Sequence, residues 1–186
     1  MRKFLASSLE LLEVAVVALA TVIFIRSFLF QPFLVSGQSM VPNFANGDYL
    51  LIDEFTYRLR APERGEVIVF RPPGNESTYY IKRIIGLPGE KVRIVNDHIA
   101  IYEPDKEDPV LLDESYLSSN TLTVPSSPAN TEFTLKADQY FVLGDNRAQS
   151  YDSRSWGLLN KKAVIGLARV RLWPVLNARA FAAPKY

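Results

Sequence analysis

The chain has no cysteine and one histidine, His98, among its 186 residues. Those two shortages exclude cysteine proteases, CxxC redox motifs and thiolate zinc sites, and they leave no His-rich metal site. A cysteine-free chain suits an exported domain that does without disulfides, although many cytosolic proteins also lack cysteine. An excess of either charge is missing too. The formal net charge is +1, no basic cluster is interleaved with aromatics, and nucleic acid is not an expected partner. No cofactor is called for. His98 follows Asn96-Asp97 between two alternating apolar runs, the place of a hairpin turn. Such a position suits an exposed histidine rather than a buried catalytic one, so a Ser-His-Asp hydrolase is not expected.

Apolar residues are plentiful, at 48% of the chain, and the first thirty differ from the rest. Arg2 and Lys3 precede Leu11-Leu12 and a charge-free run from Val14 to Ile25; Arg26 interrupts before Phe28-Leu29-Phe30. The charge-free run is shorter than the ~20 residues of a bilayer span. A span from about Leu9 to Phe30 is long enough if Glu10, Glu13 and Arg26 lie near the interfaces. The expectation is a cytoplasmic end and single transmembrane anchor over residues 1–31, with the basic terminus inside. A cleavable signal peptide would share the basic start and Ala18-Leu19-Ala20. Against it, the apolar run continues through Val22-Ile23-Phe24-Ile25. A soluble amphipathic helix would lack a polar face over residues 14–25.

After Pro32 the texture turns to β. Short branched and aromatic runs recur at Tyr49–Ile52, Val67–Phe70, Tyr79–Ile81, Val92–Val95, Ile99–Tyr102, Glu132–Leu135, Tyr140–Leu143 and Val164–Trp173. Asn46-Gly47, Pro72-Pro73-Gly74-Asn75, Pro88-Gly89 and Asn96-Asp97 separate them. That spacing predicts a mainly β, antiparallel domain over residues 32–186. Residues 103–130, rich in Pro, Ser and Asn, read as a long surface excursion.

Without a histidine or cysteine catalyst, a hydrolase needs another base for its nucleophile. A serine hydroxyl is too weak alone at neutral pH. Lysine can serve if burial or neighbouring positive charge lowers its pKa. Three segments suit such chemistry. The first is Ser36-Gly37-Gln38-Ser39-Met40-Val41-Pro42, where Gly37 permits a tight backbone approach and Pro42 restricts the chain after the serine. It is neither GxSxG, since Val41 replaces the second glycine, nor SxxK, since Pro42 holds the lysine's place. The second runs from Lys82 to Glu90. In a strand Lys82 and Arg83 point to opposite faces, so one can face the interior while the other meets solvent or a carboxylate. The third, Gly144 to Gly157, packs Asp145, Arg147, Asp152 and Arg154 with several hydroxyls after an apolar strand. Asp–Arg pairs can lock such a loop. Each segment alone would pass as an ordinary turn, charged strand or solvated loop.

Together and in this order, SGQSMVP, KRIIGLPGE and GDNRAQSYDSRSWG resemble the sequence boxes of type I signal peptidases, and Gly47-Asp48 fits as well. The resemblance covers most of the chain, residues 103–138 least. It implies a membrane-bound serine endopeptidase that removes signal peptides from exported preproteins, with Ser39 as nucleophile and Lys82 as general base. It implies an orienting hydroxyl at Ser150 and a structural lattice of Asp145, Arg147, Asp152 and Arg154. The neighbouring Ser153 reads as an ordinary surface serine. Some relatives use a serine two positions before the nucleophile as a second oxyanion donor; Gly37 stands there, leaving that donor open. Asn43 and Glu90 replace the usual Thr and Asp. The implied partners are the lipid bilayer and preproteins with small residues at the first and third positions before the cut. Two rivals remain: a repressor-type self-cleaving Ser/Lys protease and a catalytically inactive membrane-anchored β binding module. The apolar segment and the third box disfavour the first, and the retained serine and lysine disfavour the second.

Overall fold

The computed structural model describes residues 2–28, 30–75, 77–106 and 108–184, with the side chains of the first helix described from Glu10 to Ile23. Helix α1 (Arg2–Phe28) opens the chain. Between Glu10 and Ile23 its apolar side chains are exposed on every side, Leu11, Val14, Val17 and Val22 among them. Among the described residues no helix is long and apolar enough to cross a membrane. Arg2, Lys3 and Arg26, on which the expected orientation rests, lie outside the described side chains.

Among the described residues twelve strands follow in chain order: β1 (Phe30–Leu34), β2 (Tyr49–Asp53), β3 (Val67–Phe70), β4 (Tyr80–Gly86), β5 (Lys91–Val95), β6 (His98–Tyr102), β7 (Val110–Leu111), β8 (Glu132–Thr134), β9 (Gln139–Leu143), β10 (Leu159–Asn160), β11 (Val164–Trp173) and β12 (Arg179–Ala180). Two one-turn α-helices, α2 (Thr56–Leu59) and α3 (Ser153–Trp156), and three short 3-10 turns interrupt them among the described residues. All pairings are antiparallel. One sheet runs β1-β2-β11-β3-β4-β9-β10 with β12 added to β11, and a second runs β7-β6-β5-β8. The mainly β, antiparallel fold expected from the turn spacing is the one that forms. The surprise is β1: Phe30 and Gln31, read above as the end of the anchor, pair with Asp53 and Ile52.

Burial explains the strand patterns. β3 is buried at every position, because a central strand is covered on both faces and reads as a continuous apolar run. β5 alternates instead, with Val92 and Ile94 inside. The turn after it places Asn96 and Asp97 at φ 47° and 64°, the left-handed pair that a two-residue hairpin needs. His98 emerges from that turn exposed, opposite Val95.

The register around β4 sets up the site. Ile81 and Arg83 lie opposite Val69 and Val67, while Lys82 lies opposite Ile68. Val67 and Val69 belong to the apolar cluster under the Ser39 segment, whereas Ile68 and Ile84 belong to a separate cluster with Phe70 and Val142. The two adjacent cations of β4 are therefore delivered to different faces of the same sheet.

Candidate active site

Ser39 rides on the loop between the antiparallel partners β1 and β2. The neck of that loop is closed by Val35 N–H donating to Asp48 O at 2.9 Å and Gly47 N–H to Val35 O at 2.9 Å. Beyond it Met40 and Phe44 turn inward and are buried with Val35, Leu50 and Ile52, joined by a helical turn from Phe44 N–H to Met40 O. Burying Met40 leaves Ser39, just before it, half-exposed at the surface of the core. Gly37 has φ +97°, a conformation that side chains disfavour. Open space surrounds it, so the glycine serves the turn and not the close backbone approach expected of it. Its N–H donates to Asn46 Oδ1 at 2.9 Å.

Lys82 reaches this loop from β4. Its Nζ donates to Ser39 Oγ at 2.8 Å and to the Ile81 carbonyl at 2.9 Å. The side chain is buried and forms no ion pair among the described residues. Burial pushes its pKa down to about 8, against the charges of Asp152 and Asp145, which pull it up. A lysine held there is partly neutral near working pH, and once neutral the same contact can run from the serine hydroxyl to the amine nitrogen.

The third segment forms the floor beneath Ser39. A Cβ at Gly144 would lie 2.4 Å from the Ser39 carbonyl oxygen and 2.2 Å from Ser150 Oγ, so only glycine fits there. Asn146, not singled out from sequence, clamps the Ser39 loop: its N–H donates to Ser39 O at 3.0 Å and its Nδ2 to Gln38 O at 3.1 Å. Ser150 departs from the expectation. Its Oγ is buried without a hydrogen-bond partner, and the donors of Lys82 go instead to Ser39 and to Ile81 of its own strand. Ser153 is also corrected, because it is fully buried and accepts the Val142 N–H at 3.0 Å.

The lattice exists, but only one of its pairs lies within the segment. Arg154 grips Asp152 through Nε and Nη2, each at 2.8 Å, while Asp152 Oδ2 accepts the Gly144 N–H at 3.1 Å. Asp145 pairs not with Arg147 but with Arg83, through Nε at 2.8 Å and Nη2 at 2.6 Å. Asn43, in the nucleophile segment, donates to that same carboxylate at 2.9 Å and to Tyr116 O at 3.0 Å. Arg147 takes its carboxylate from Glu114, at 2.9 and 2.5 Å. Burial opposes that charge, but the bonds and charge of Glu114 outweigh it and hold the guanidinium above its ordinary pKa. The excursion read as surface thus reaches the site. Tyr116 lies under the Arg83 guanidinium with its ring centre 4.1 Å away, Thr123 is buried against Arg147, and the Val124 carbonyl accepts from Arg154 at 3.1 Å.

A cleft of about 470 Å³ opens over the Ser39–Lys82 contact, between residues 33–39 and 78–82, with Gln149 and Tyr151 at its rim. Leu50, Val69 and Ile81 supply apolar wall, and the aromatic rings of Phe33 and Tyr79 meet edge-on at 5.1 Å. Among the described residues no cluster of His, Cys, Asp and Glu could hold a metal ion.

Comparison with known proteins bears on this arrangement. Residues 8–173 match the model of the family described as signal peptidase, peptidase S26. The chain is 40% identical over 172 residues to a Synechocystis protein named "Probable signal peptidase I-2", with 90% of this chain and 74% of that one covered. It is 33% identical over 178 residues to signal peptidase I P of Bacillus subtilis subsp. natto, with 92% of each covered. The crystal structure of a signal peptidase I from Enterococcus faecalis V583, 33% identical, superposes with a TM-score of 0.47, covering 58% of this chain and 97% of that one.

Proposed function

The chain belongs to the signal peptidase family, peptidase S26, and from that premise we propose that it cleaves signal peptides from exported preproteins with Ser39 as nucleophile and Lys82 as general base. One observation carries the assignment: a buried lysine amine without a carboxylate partner stands 2.8 Å from a serine hydroxyl at the floor of a cleft. In the first step neutral Lys82 takes the Ser39 proton as Oγ attacks the scissile carbonyl. The lysine then returns that proton to the departing amine, and a water activated by the same amine hydrolyses the acyl-enzyme. The Ser39 N–H faces the developing oxyanion, a donor worth about 3 kcal/mol in comparable sites. Gly37 offers no hydroxyl, and its N–H is engaged by Asn46, so a second donor does not come from that residue.

The supporting residues act on geometry. Asp145, Arg147, Asp152 and Arg154 hold the floor beneath Ser39. Ser150 keeps an orienting role at one stage. In the tetrahedral intermediate, when Lys82 has taken the proton and Ser39 Oγ is bonded to the former carbonyl carbon, the ammonium has gained a proton and lost an acceptor. The unpartnered Ser150 hydroxyl, packed with the Ser39 carbonyl against Gly144, is the acceptor we assign to it. An extended substrate would lie between residues 33–39 and 78–82, adding to a strand edge. The pockets there would favour small side chains at the first and third positions before the cut.

The peptidase domain, residues 32–186, is proposed to be extracytoplasmic and held at the membrane by residues 1–31. Apolar side chains exposed on every side of α1 support this, since a helix apolar all round calls for an apolar surrounding. At ~1.5 Å per residue its 27 residues measure about 40 Å. A tethered enzyme meets tethered signal peptides at high effective concentration. The deciding experiment is cleavage of a model preprotein by the purified protein beside Ser39→Ala and Lys82→Met. Both variants are expected to keep their circular dichroism and lose cleavage. Activity in either one ends the Ser/Lys assignment, and an inactive wild-type protein would leave the binding-module alternative standing. Family membership sets the repressor-type alternative aside.

A further inference from the structure

We infer that Glu114, in the excursion between β7 and β8, is a positioning residue for the site, acting on Ser39 through Arg147; the inference rests on the roles proposed above for Ser39 and Lys82. Glu114 lies outside all three motif segments. Its two oxygens accept from Arg147 Nη1 at 2.9 Å and Nη2 at 2.5 Å, and the Arg147 side chain is only 1% exposed. A guanidinium that deeply buried needs an anion, and the carboxylate two residues before it, Asp145, is already committed to Arg83. Bidentate pairing fixes the plane of the guanidinium, and that plane aims the remaining Nε at the Gly144 carbonyl, 3.1 Å away.

Gly144 is where the effect reaches the chemistry. Its backbone is packed so closely on Ser39 O and Ser150 that a Cβ has no room. Two residues on, the Asn146 N–H donates to the same Ser39 oxygen at 3.0 Å. The Gly144–Asn146 backbone is thus the surface against which Ser39 is set, and Glu114 holds it through Arg147. The Arg147 carbonyl also accepts from Arg154 Nη2 at 2.7 Å, and Arg154 in turn grips Asp152. Among the described residues, none of those lining the cleft comes from residues 103–138. Losing Glu114 should therefore disturb the alignment of Ser39 and leave substrate contacts intact.

The test compares steady-state cleavage of a model preprotein by the purified full chain and by Glu114→Gln, Glu114→Asp, Ser39→Ala and the double variant Glu114→Gln with Arg147→Gln. A misplacement of ~1 Å costs about 10²-fold in rate. Glu114→Gln is expected to lower kcat about 10- to 100-fold with KM within about twofold, at a temperature where circular dichroism shows it folded. Glu114→Asp, which keeps the charge, should recover part of the loss. The double variant keeps the interior neutral and so protects folding, and its kcat should stay low because Gly144 O has lost its donor. A kcat within about twofold of wild type in folded Glu114→Gln or in the double variant overturns the inference, even if the melting temperature falls. If Ser39→Ala still cleaves, the Ser/Lys reading has failed and takes this inference with it; if Ser39→Ala is dead while Glu114→Gln is normal, only the inference falls.

Discussion

On one face of β4 Lys82 is buried against Ser39 with no carboxylate in ion-pair reach, and on the other Arg83 is bound by both oxygens of Asp145. The two residues are adjacent, carry the same formal charge and are about equally buried. They differ in whether the protein neutralises them. A general base has to shed its proton near working pH, so its surroundings must disfavour the cation; lysine yields to such pressure and arginine does not. A structural cation has to keep its charge, which in the interior requires an anion with matching geometry. The sheet places the two requirements on opposite faces of one strand, and burial of Lys82 outweighs the pull of Asp145 and Asp152 toward the charged form.

The comparison breaks most visibly when a partner is removed from the structural face. Asp145→Asn or Arg83→Met removes one partner of a buried bidentate pair, which costs about 3–5 kcal/mol. Asp145→Asn also weakens the anchor that Asn43 gives the nucleophile loop. Urea unfolding is expected to show a large fall in midpoint for each variant. A change below about 1 kcal/mol would mean that the two faces are not built on different terms.

The Lys82 face should respond in the opposite sense. With a folded pKa of about 8 against 10.5, the buried ammonium opposes folding by about 3 kcal/mol at ~1.36 kcal/mol per unit. Below pH 8 both folded and unfolded states carry the proton, and the penalty is fully present. Between pH 8 and 10.5 the unfolded state binds more protons than the folded one, so stability rises with pH and the penalty fades. Lys82→Met should therefore stabilise the protein at pH 7 by up to that amount, less what the Ile81 carbonyl loses. The gain should have vanished by about pH 10.5. Catalysis reads the same titration: wild-type kcat/KM should climb about tenfold per pH unit to a bend near 8 and level off above it. A bend near 10 would place Lys82 in an environment like that of a solvent-exposed lysine and remove the contrast.

What could be read in advance follows the same division. The strands were legible wherever alternation or a continuous apolar run met a turn signal, as at Val67–Phe70 and around Asn96-Asp97. Ser39 and Lys82 could be singled out only through the joint resemblance of three ordered segments to a known family, since each segment alone passes as an ordinary turn or charged strand. The partners on the structural face were not legible, because salt bridges across 62 and 33 residues leave no periodic mark. Asp145 and Arg147 look like natural partners two positions apart, yet each finds a better-placed one elsewhere. Glu114, Tyr116 and Thr123 stand in a Pro-, Ser- and Asn-rich stretch whose composition reads as solvated loop; they are ordered by what they touch. β1 was hidden for a different reason, since Phe30 at its start extends the apolar Phe28-Leu29 that follows Arg26 at the end of the anchor run.

The smallest effect separates two serines of the third segment that look interchangeable in sequence. Ser153 Oγ is fully buried and accepts the Val142 N–H, so Ser153→Ala strands a buried donor and should lower stability by about 1–3 kcal/mol. Ser150 Oγ is buried without a partner, so Ser150→Ala removes no folded-state bond and should leave the melting temperature nearly unchanged. Its expected signature is kinetic. If the hydroxyl receives the Lys82 ammonium only after proton transfer, its loss should reduce kcat by less than about tenfold, a fraction of the ~10²–10⁴ that general-base catalysis contributes. KM should not change, because the contact forms after substrate is bound. Thermal melts and steady-state kinetics on the two variants decide the matter together. A drop of more than about 1 kcal/mol in Ser150→Ala would show that the hydroxyl has a folded-state partner after all. An unchanged kcat would remove Ser150 from the site and leave Lys82 held by Ser39 and the Ile81 carbonyl alone.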